Sequence, residues 1–279
     1  MYKNYTICER KIRIDMSNFP NDSGDWRLFE TNENSADISI TCQVGEELPK
    51  ISGKFCGEQG EFQVFSDGEK IFRKRDMGAS EGALAEYNYS NGSDCQVWFT
   101  HHSFPVLTDE RYFWSSVPLA QLLLSKKAVF IHSSFIDIGG SAVLFSAPCG
   151  TGKSTQAELW RLHRNAEVIN GDKAGIYLKE GEAFAGGVPF CGTSGICKNR
   201  NLPLKAIVVL SQGKENRVKC LTGFEALQAV INNIYLDLLA PGEKQKCIDF
   251  VIELLEQVNV FSLQCTPDER AVEELEKVL

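Results

Sequence analysis

Ala147-Pro148-Cys149-Gly150-Thr151-Gly152-Lys153-Ser154-Thr155 is the stretch on which the reading of this chain turns. Its spacing, Gly or Ala, four free positions, then Gly-Lys-Ser, is that of a phosphate-binding loop. Backbone N–H groups of such a loop wrap a phosphate chain. Lys153 brings a point charge to the terminal phosphates, and Ser154 brings a hydroxyl to a magnesium ion.

The flanks fit the same reading. Ser141-Ala142-Val143-Leu144-Phe145-Ser146 is a short apolar run after Gly139-Gly140, which predicts a buried strand. Ser154 to Arg164 holds neither Gly nor Pro and carries Ala157, Leu159, Trp160 and Leu162, which predicts a helix. Strand, glycine loop and helix is the order that phosphate binding needs, because the helix N-terminus adds its partial positive charge. The competing reading is a Gly-rich turn that merely contains Lys-Ser.

Further out, the chain divides by pattern. Residues 1–108 are expected to form a β-rich N-terminal domain, β-rich to about Pro105. Ile38, Ile40, Cys42 and Val44 alternate with polar residues, and Ser66-Asp67-Gly68-Glu69 and Asn91-Gly92 read as hairpin turns. His101 and His102 read as a strand-end pair without function. Residues 109–125 are expected to be a connecting helix with Leu119, Leu122, Leu123 and Leu124 on its apolar side. Residues 126–279 switch to an α/β pattern. Val129 to Ile138 and Ala166 to Ile169 read as strands, and Ala206 to Leu210 as a strand buried on both faces. Thr222-x-x-Glu225 predicts a capped helix running to Leu238, Pro241 opens a second, and Thr266-Pro267-x-Glu269 caps a third.

Phosphoryl transfer needs positioned phosphates, a metal, and a group that orients or deprotonates the acceptor. Asp172 follows Val168-Ile169-Asn170-Gly171 at a strand end, where ligands of such sheets bind. It is the candidate metal ligand, with Ser154, and the candidate base; the plainer reading is a turn residue before Lys173. His132 lies on the strand ahead of the loop strand, close enough to assist, or is a satisfied core side chain. Gly186 to Gly195 is a small-residue loop followed by Lys198-Asn199-Arg200. Its Gly192, Thr193, Ser194, Lys198 and Arg200 are candidates for the acceptor site, and the alternative is a variable surface loop with a solvated basic end.

Together these residues resemble the catalytic domain of HPr kinase/phosphorylase, a fold shared with the phosphoenolpyruvate carboxykinases and with stand-alone HPr-kinase-like proteins. The matching pieces are Ile131-His132-Ser133-Ser134-Phe135-Ile136-Asp137, Ala147 to Ser154, Ile169-Asn170-Gly171-Asp172 and the tail Phe261 to Pro267. The resemblance spans roughly residues 126–279. It implies an α/β P-loop kinase domain behind a smaller β-rich domain, and an active-site role for His132. One departure stands out: the family has two adjacent aspartates, whereas this chain has Gly171-Asp172-Lys173.

The expected function is therefore an ATP- and Mg²⁺-dependent kinase, with GTP as the alternative nucleotide. Its acceptor would be a hydroxyl of a peptide, a protein or a small alcohol. The loop residues 147–155 would bind the nucleotide, and Asp172, His132 and Lys153 would be catalytic. The rival is a non-catalytic nucleotide-binding sensor or assembly module; a carboxykinase-like decarboxylating enzyme ranks last. Among 279 residues the net charge of −8 leaves no whole-chain basic footprint for nucleic acid. No apolar run approaches a membrane span, so no membrane partner is expected. Met1 to Met16 mixes charge and polarity, and the ten cysteines are scattered without a C-x-x-C pair. Both features point to a reducing cytoplasm and away from a paired-cysteine zinc site. Cys149 reads as a passive loop position, and a homo-oligomer is left open.

Overall fold

Period-two alternation builds most of this molecule. The computed structural model describes residues 2–15, 24–76, 82–103, 110–236 and 238–279. The boundary expected near 108 and the end of the β-rich part at Pro105 lie outside the described residues. The chain divides into two units, Met1–Lys127 with Leu236–Lys246, and Ala128–Tyr235 with Cys247–Leu279.

The first unit holds β1 (Tyr2–Ile7), β2 (Arg10–Asp15), α1 (Gly24–Arg27), β3 (Ile38–Gly45), β4 (Lys54–Gln59), β5 (Phe62–Ser66), β6 (Lys70–Asp76), β7 (Gly82–Asn88) and β8 (Asp94–Thr100). They form one sheet in the order β1-β2-β3-β8-β7-β6-β5-β4. The two predicted hairpins are present as the antiparallel pairs β5–β6 and β7–β8. The single helix expected over 109–125 is two, α2 (Glu110–Ser116) and α3 (Leu119–Leu124). Pro118 is the reason, since its ring disfavours helical backbone at the residue before it. The leucines expected on the apolar side are buried all the same. In Leu236–Lys246, Glu243 is buried and accepts a 2.8 Å hydrogen bond from Tyr87 Oη, and Lys246 Nζ donates to Tyr89 O.

The second unit holds β9 (Ala128–Ile138), β10 (Ser141–Ser146), α4 (Lys153–Arg164), β11 (Glu167–Asn170), β12 (Lys173–Lys179), β13 (Glu182–Gly186), β14 (Asn201–Gln212), β15 (Arg217–Leu221), α5 (Gly223–Ile231), β16 (Asn259–Cys265) and α7 (Glu269–Glu276); α6 (Glu243–Leu255) begins before the segment that returns to it. β14 runs parallel to both β10 and β16, the position its unbroken apolar run predicts. β9 pairs with β10 along one edge and with β11 and then β12 along the other. Because β12 pairs with β13, and β13 with β14, the ladder returns to β10 and closes.

α4 packs Ala157 and Trp160 into a core with Phe145, Val208 and Leu263. It stops at Asn165, which takes a left-handed φ of 54° and returns its N–H to Trp160 O. Arg164 joins it to α7 through Glu276, with contacts of 2.7 and 2.9 Å. Two expected caps are corrected. Thr222 precedes α5 but its side chain makes no capping bond, and Glu225 pairs with Lys219 instead; that helix ends at Ile231 rather than Leu238. α7 is capped by Asp268, not Thr266, with Oδ1 accepting from Arg270 N at 3.1 Å.

The Arg270 guanidinium beside Asp268 holds its carboxyl down at about 2, against an ordinary value of 3.8. A lowered folded-state value gives stability that is complete above 3.8 and lost as pH falls towards 2. Asp268→Asn, which keeps a capping oxygen, is expected to flatten the acid limb of stability across that window in denaturant titrations.

Candidate phosphate and metal site

The loop leaves β10 at Ser146 and enters α4 at Lys153, so strand, loop and helix follow the predicted order. Gly150 and Gly152 take φ of 78° and 118°, and a methyl group built at either would meet nothing. Only residues without a Cβ hold such angles cheaply, and the turn they make is open above. The first turn of α4 carries no carboxylate, and its leading N–H groups have no partner within the helix. The buried Lys153 folds back, its Nζ donating to Ala147 O at 2.8 Å and Pro148 O at 3.2 Å. Pro148, Cys149, Ser154 and Thr155 are exposed.

Asp172 reaches this loop by register. Ser146 of β10 pairs with Ser133 of β9, and Ser133 N donates to Asp172 O at 3.0 Å. Asp172 therefore stands two strands from the loop's root, about 10 Å at ordinary strand spacing. Ser146 Oγ donates to His132 O at 2.7 Å and ties the same rows together. Two side-chain nitrogens stand beside the carboxylate: His132 Nδ1 lies 3.5 Å from Oδ1, and Lys173 Nζ lies 3.5 Å from Oδ2. Burial, and next the Lys153 ammonium, hold the His132 imidazole below its usual range, opposed in part by Asp172. Burial likewise lowers Lys153, opposed in part by Cys149 and Asp172.

Asn170 is the residue that sequence reasoning passed over. It is fully buried, and its Oδ1 accepts from Asp172 N at 2.9 Å and Lys173 N at 3.0 Å. Its Nδ2 donates to Val188 O at 3.0 Å and Phe190 O at 3.1 Å. One side chain thus sets the Asp172 turn and pins the small-residue loop to it. The Asn-Gly-Asp string, an Asx-turn former, was the available signal.

That loop lies on the carboxylate. A methyl group at Gly192 would sit 2.7 Å from Asp172 Cβ and Cγ, and one at Gly171 would strike Ser194 Oγ. Gly192, Thr193 and Ser194 are exposed beside Asp172. Lys198 and Arg200 are placed elsewhere. Lys198 Nζ pairs with Glu167 at 2.7 Å, and Arg200 pairs with Asp137 at 2.7 Å and with Glu167. Glu167 and Asp137 face each other across β11 and β9, five residues along β9 from His132. At about 3.3 Å per residue that is some 16 Å from the carboxylate row. The two cations anchor the loop's end rather than face its tip.

The oxygens offered, a serine hydroxyl and one carboxylate, are hard donors that suit Mg²⁺. Among the described residues no three His, Cys, Asp or Glu side chains gather as a self-sufficient metal cage. All ten cysteines are free, and among the described residues no helix is long and apolar enough to cross a membrane.

No protein-family model matches this chain, and no curated protein matches it in sequence. Among solved structures, the Hpr(Ser) kinase/phosphatase from Coxiella burnetii aligns over 53% of this chain and 94% of its own, with 8% identity and a TM-score of 0.31. A score of that size is too low to establish a shared fold.

Proposed function

We propose that this chain is an ATP- and Mg²⁺-dependent kinase that moves the γ-phosphoryl group to a hydroxyl of a peptide, a protein or a small alcohol. The observation that carries the reading is the strand register that brings Asp172 and His132 beside an open loop holding Lys153. Loop amides from Ala147 to Thr155, Pro148 excepted, and the Lys153 ammonium bind the phosphates; Lys153 exchanges its two carbonyl partners for them. Ser154 and Asp172 would hold a Mg²⁺ ion, which would shield phosphate charge.

His132 Nδ1 faces Asp172; with the ring proton held there, Nε2 would present the lone pair. In the transfer, the bond from the γ-phosphorus to its bridging oxygen breaks and the electron pair leaves with ADP. The acceptor oxygen bonds to phosphorus, and its proton passes to the His132–Asp172 pair. The exposed edge at Gly192 to Ser194 supplies backbone N–H groups and hydroxyls where the acceptor enters.

Incubation with γ-labelled ATP tests this. Label is expected to leave ATP in the wild type, and Asp172→Asn is expected to slow its loss by about 10²- to 10³-fold. Label that stays on ATP while the nucleotide binds would favour a sensor or assembly module. Turnover indifferent to Asp172→Asn would remove Asp172 from the reaction.

A further inference from the structure

We propose that Lys173 is a second phosphate-binding cation, which contacts the terminal phosphate of a bound nucleoside triphosphate from the side opposite Lys153. The proposal rests on the kinase reading above and names how that site tells a triphosphate from a diphosphate.

Lys173 opens β12 and pairs in register with His132. Its side chain is 17% exposed, a low figure for a strongly hydrated ammonium on a flexible stem. Two aromatic rings replace part of that hydration. Nζ lies 4.3 Å from the centre of the Tyr235 ring and 5.3 Å from that of Phe190. Rings at those distances attract a cation through their negative faces and fix where it stands. Phe190 belongs to the loop pinned by Asn170, and Tyr235 is tied to β9 by its N–H, which donates to Phe130 O at 2.8 Å. The ammonium is thus held from two elements, 3.5 Å from Asp172 Oδ2.

The charges at the site do not balance. His132 lies 3.5 Å from Asp172, pairs in register with Lys173, and accepts through its carbonyl from Ser146 at the root of the loop that carries Lys153. Lys173 beside Asp172 and Lys153 on the loop bring two ammonium groups to the site of one carboxylate. A divalent ion on Asp172 makes the excess positive charge larger. A polyphosphate anion is the chemistry that offsets it. Lys153 approaches from the loop and Lys173 from the start of β12, the strand that Asp172 precedes. In the proposed arrangement a phosphate chain laid on the loop amides is met by Lys153 from the loop and, at its terminal phosphate, by Lys173.

The test is titration calorimetry of ATP and ADP, each with Mg²⁺, against the wild type and Lys173→Met, which keeps the stem and removes the charge. ATP affinity is expected to fall by about 10-fold or more, as for a lost charge-assisted hydrogen bond, with ADP affinity changed by less than about 3-fold. The ATP-to-ADP affinity ratio is a readout that a purely structural role would leave alone. Lys173→Arg is expected to restore part of it. An unchanged ratio in Lys173→Met, with both nucleotides bound, overturns the role of Lys173 and leaves the kinase reading in place. A wild type that binds neither nucleotide overturns the kinase reading itself. Should Lys173→Met fail to fold, Tyr235→Leu removes an exposed ring, 56% accessible, and is expected to lower the same ratio by about 2- to 5-fold through the lost cation–π contact. An unchanged ratio there counts against the proposal equally.

Discussion

Lys153→Ala is expected to abolish measurable Mg-ATP binding and to lower any phosphoryl transfer by about 10³-fold or more, the scale of losing a preorganised charge at a transferring phosphoryl group. The protein should still fold. Among the described residues Lys153 Nζ donates to the carbonyls of Ala147 and Pro148, and the space above the loop's glycines is open, so those carbonyls gain water when the side chain goes. Melting temperature and nucleotide affinity should therefore separate, the first little moved and the second lost. Lys153→Arg should not rescue binding, because a planar guanidinium does not substitute for a compact ammonium folded against two carbonyls. Retention of wild-type ATP affinity in Lys153→Ala would end the case for a phosphate loop.

Asn170→Ala is expected to be the most damaging single change near the site, for both stability and activity. It strands two backbone N–H groups and two carbonyls that the buried amide now satisfies. Unsatisfied buried groups cost about 1 to 3 kcal/mol each, some of it recovered by relaxation or water, so a loss of about 3 to 5 kcal/mol is expected. In a thermal melt that is a drop on the order of 10 °C. The activity loss should exceed what partial unfolding explains, because the Asp172 turn and the Phe190 loop lose their common peg. Asn170→Asp is the informative companion. It keeps the acceptor for Asp172 N and Lys173 N while replacing the donor to Val188 O and Phe190 O. It should hold the carboxylate in place yet free the loop, raising KM for the acceptor more than it lowers kcat. Equal losses in the two variants would show that the turn and the loop are not held separately.

The heart of the second unit was legible because its signals are local. The apolar run before Ala147, the glycines at 150 and 152, and the helical stretch to Arg164 each declare themselves within a few residues. What the sequence hid was mostly pairing. Nothing near Asn170 announces that its side chain reaches Val188 and Phe190, 18 and 20 residues on. Nor does any local cue say that Lys198 and Arg200 are drawn to Glu167 and Asp137, which strand register sets side by side. The helix caps misled for a different reason. Thr222 and Thr266 have the right side chains at the right spacing, yet Asp268, nearer the first turn, wins at α7, and Lys219 takes the glutamate that would have completed the motif at α5. Lys173 entered the sequence reading only as the residue after Asp172; its two aromatic neighbours come from residues 190 and 235, out of reach of any motif.

The course of the chain sets a rule for anyone who would dissect this protein. Residues 128–235 leave the first unit, residues 236–246 go back to it, and the crossing out again falls inside α6. No single cut yields either half intact. A fragment that starts at Ala128 carries Glu243 and Lys246 without Tyr87 and Tyr89, exposing a carboxylate and an ammonium shaped for absent company. Clean excision calls for two cuts and a short splice in place of 236–246, and the splice must restart a helix in mid-turn.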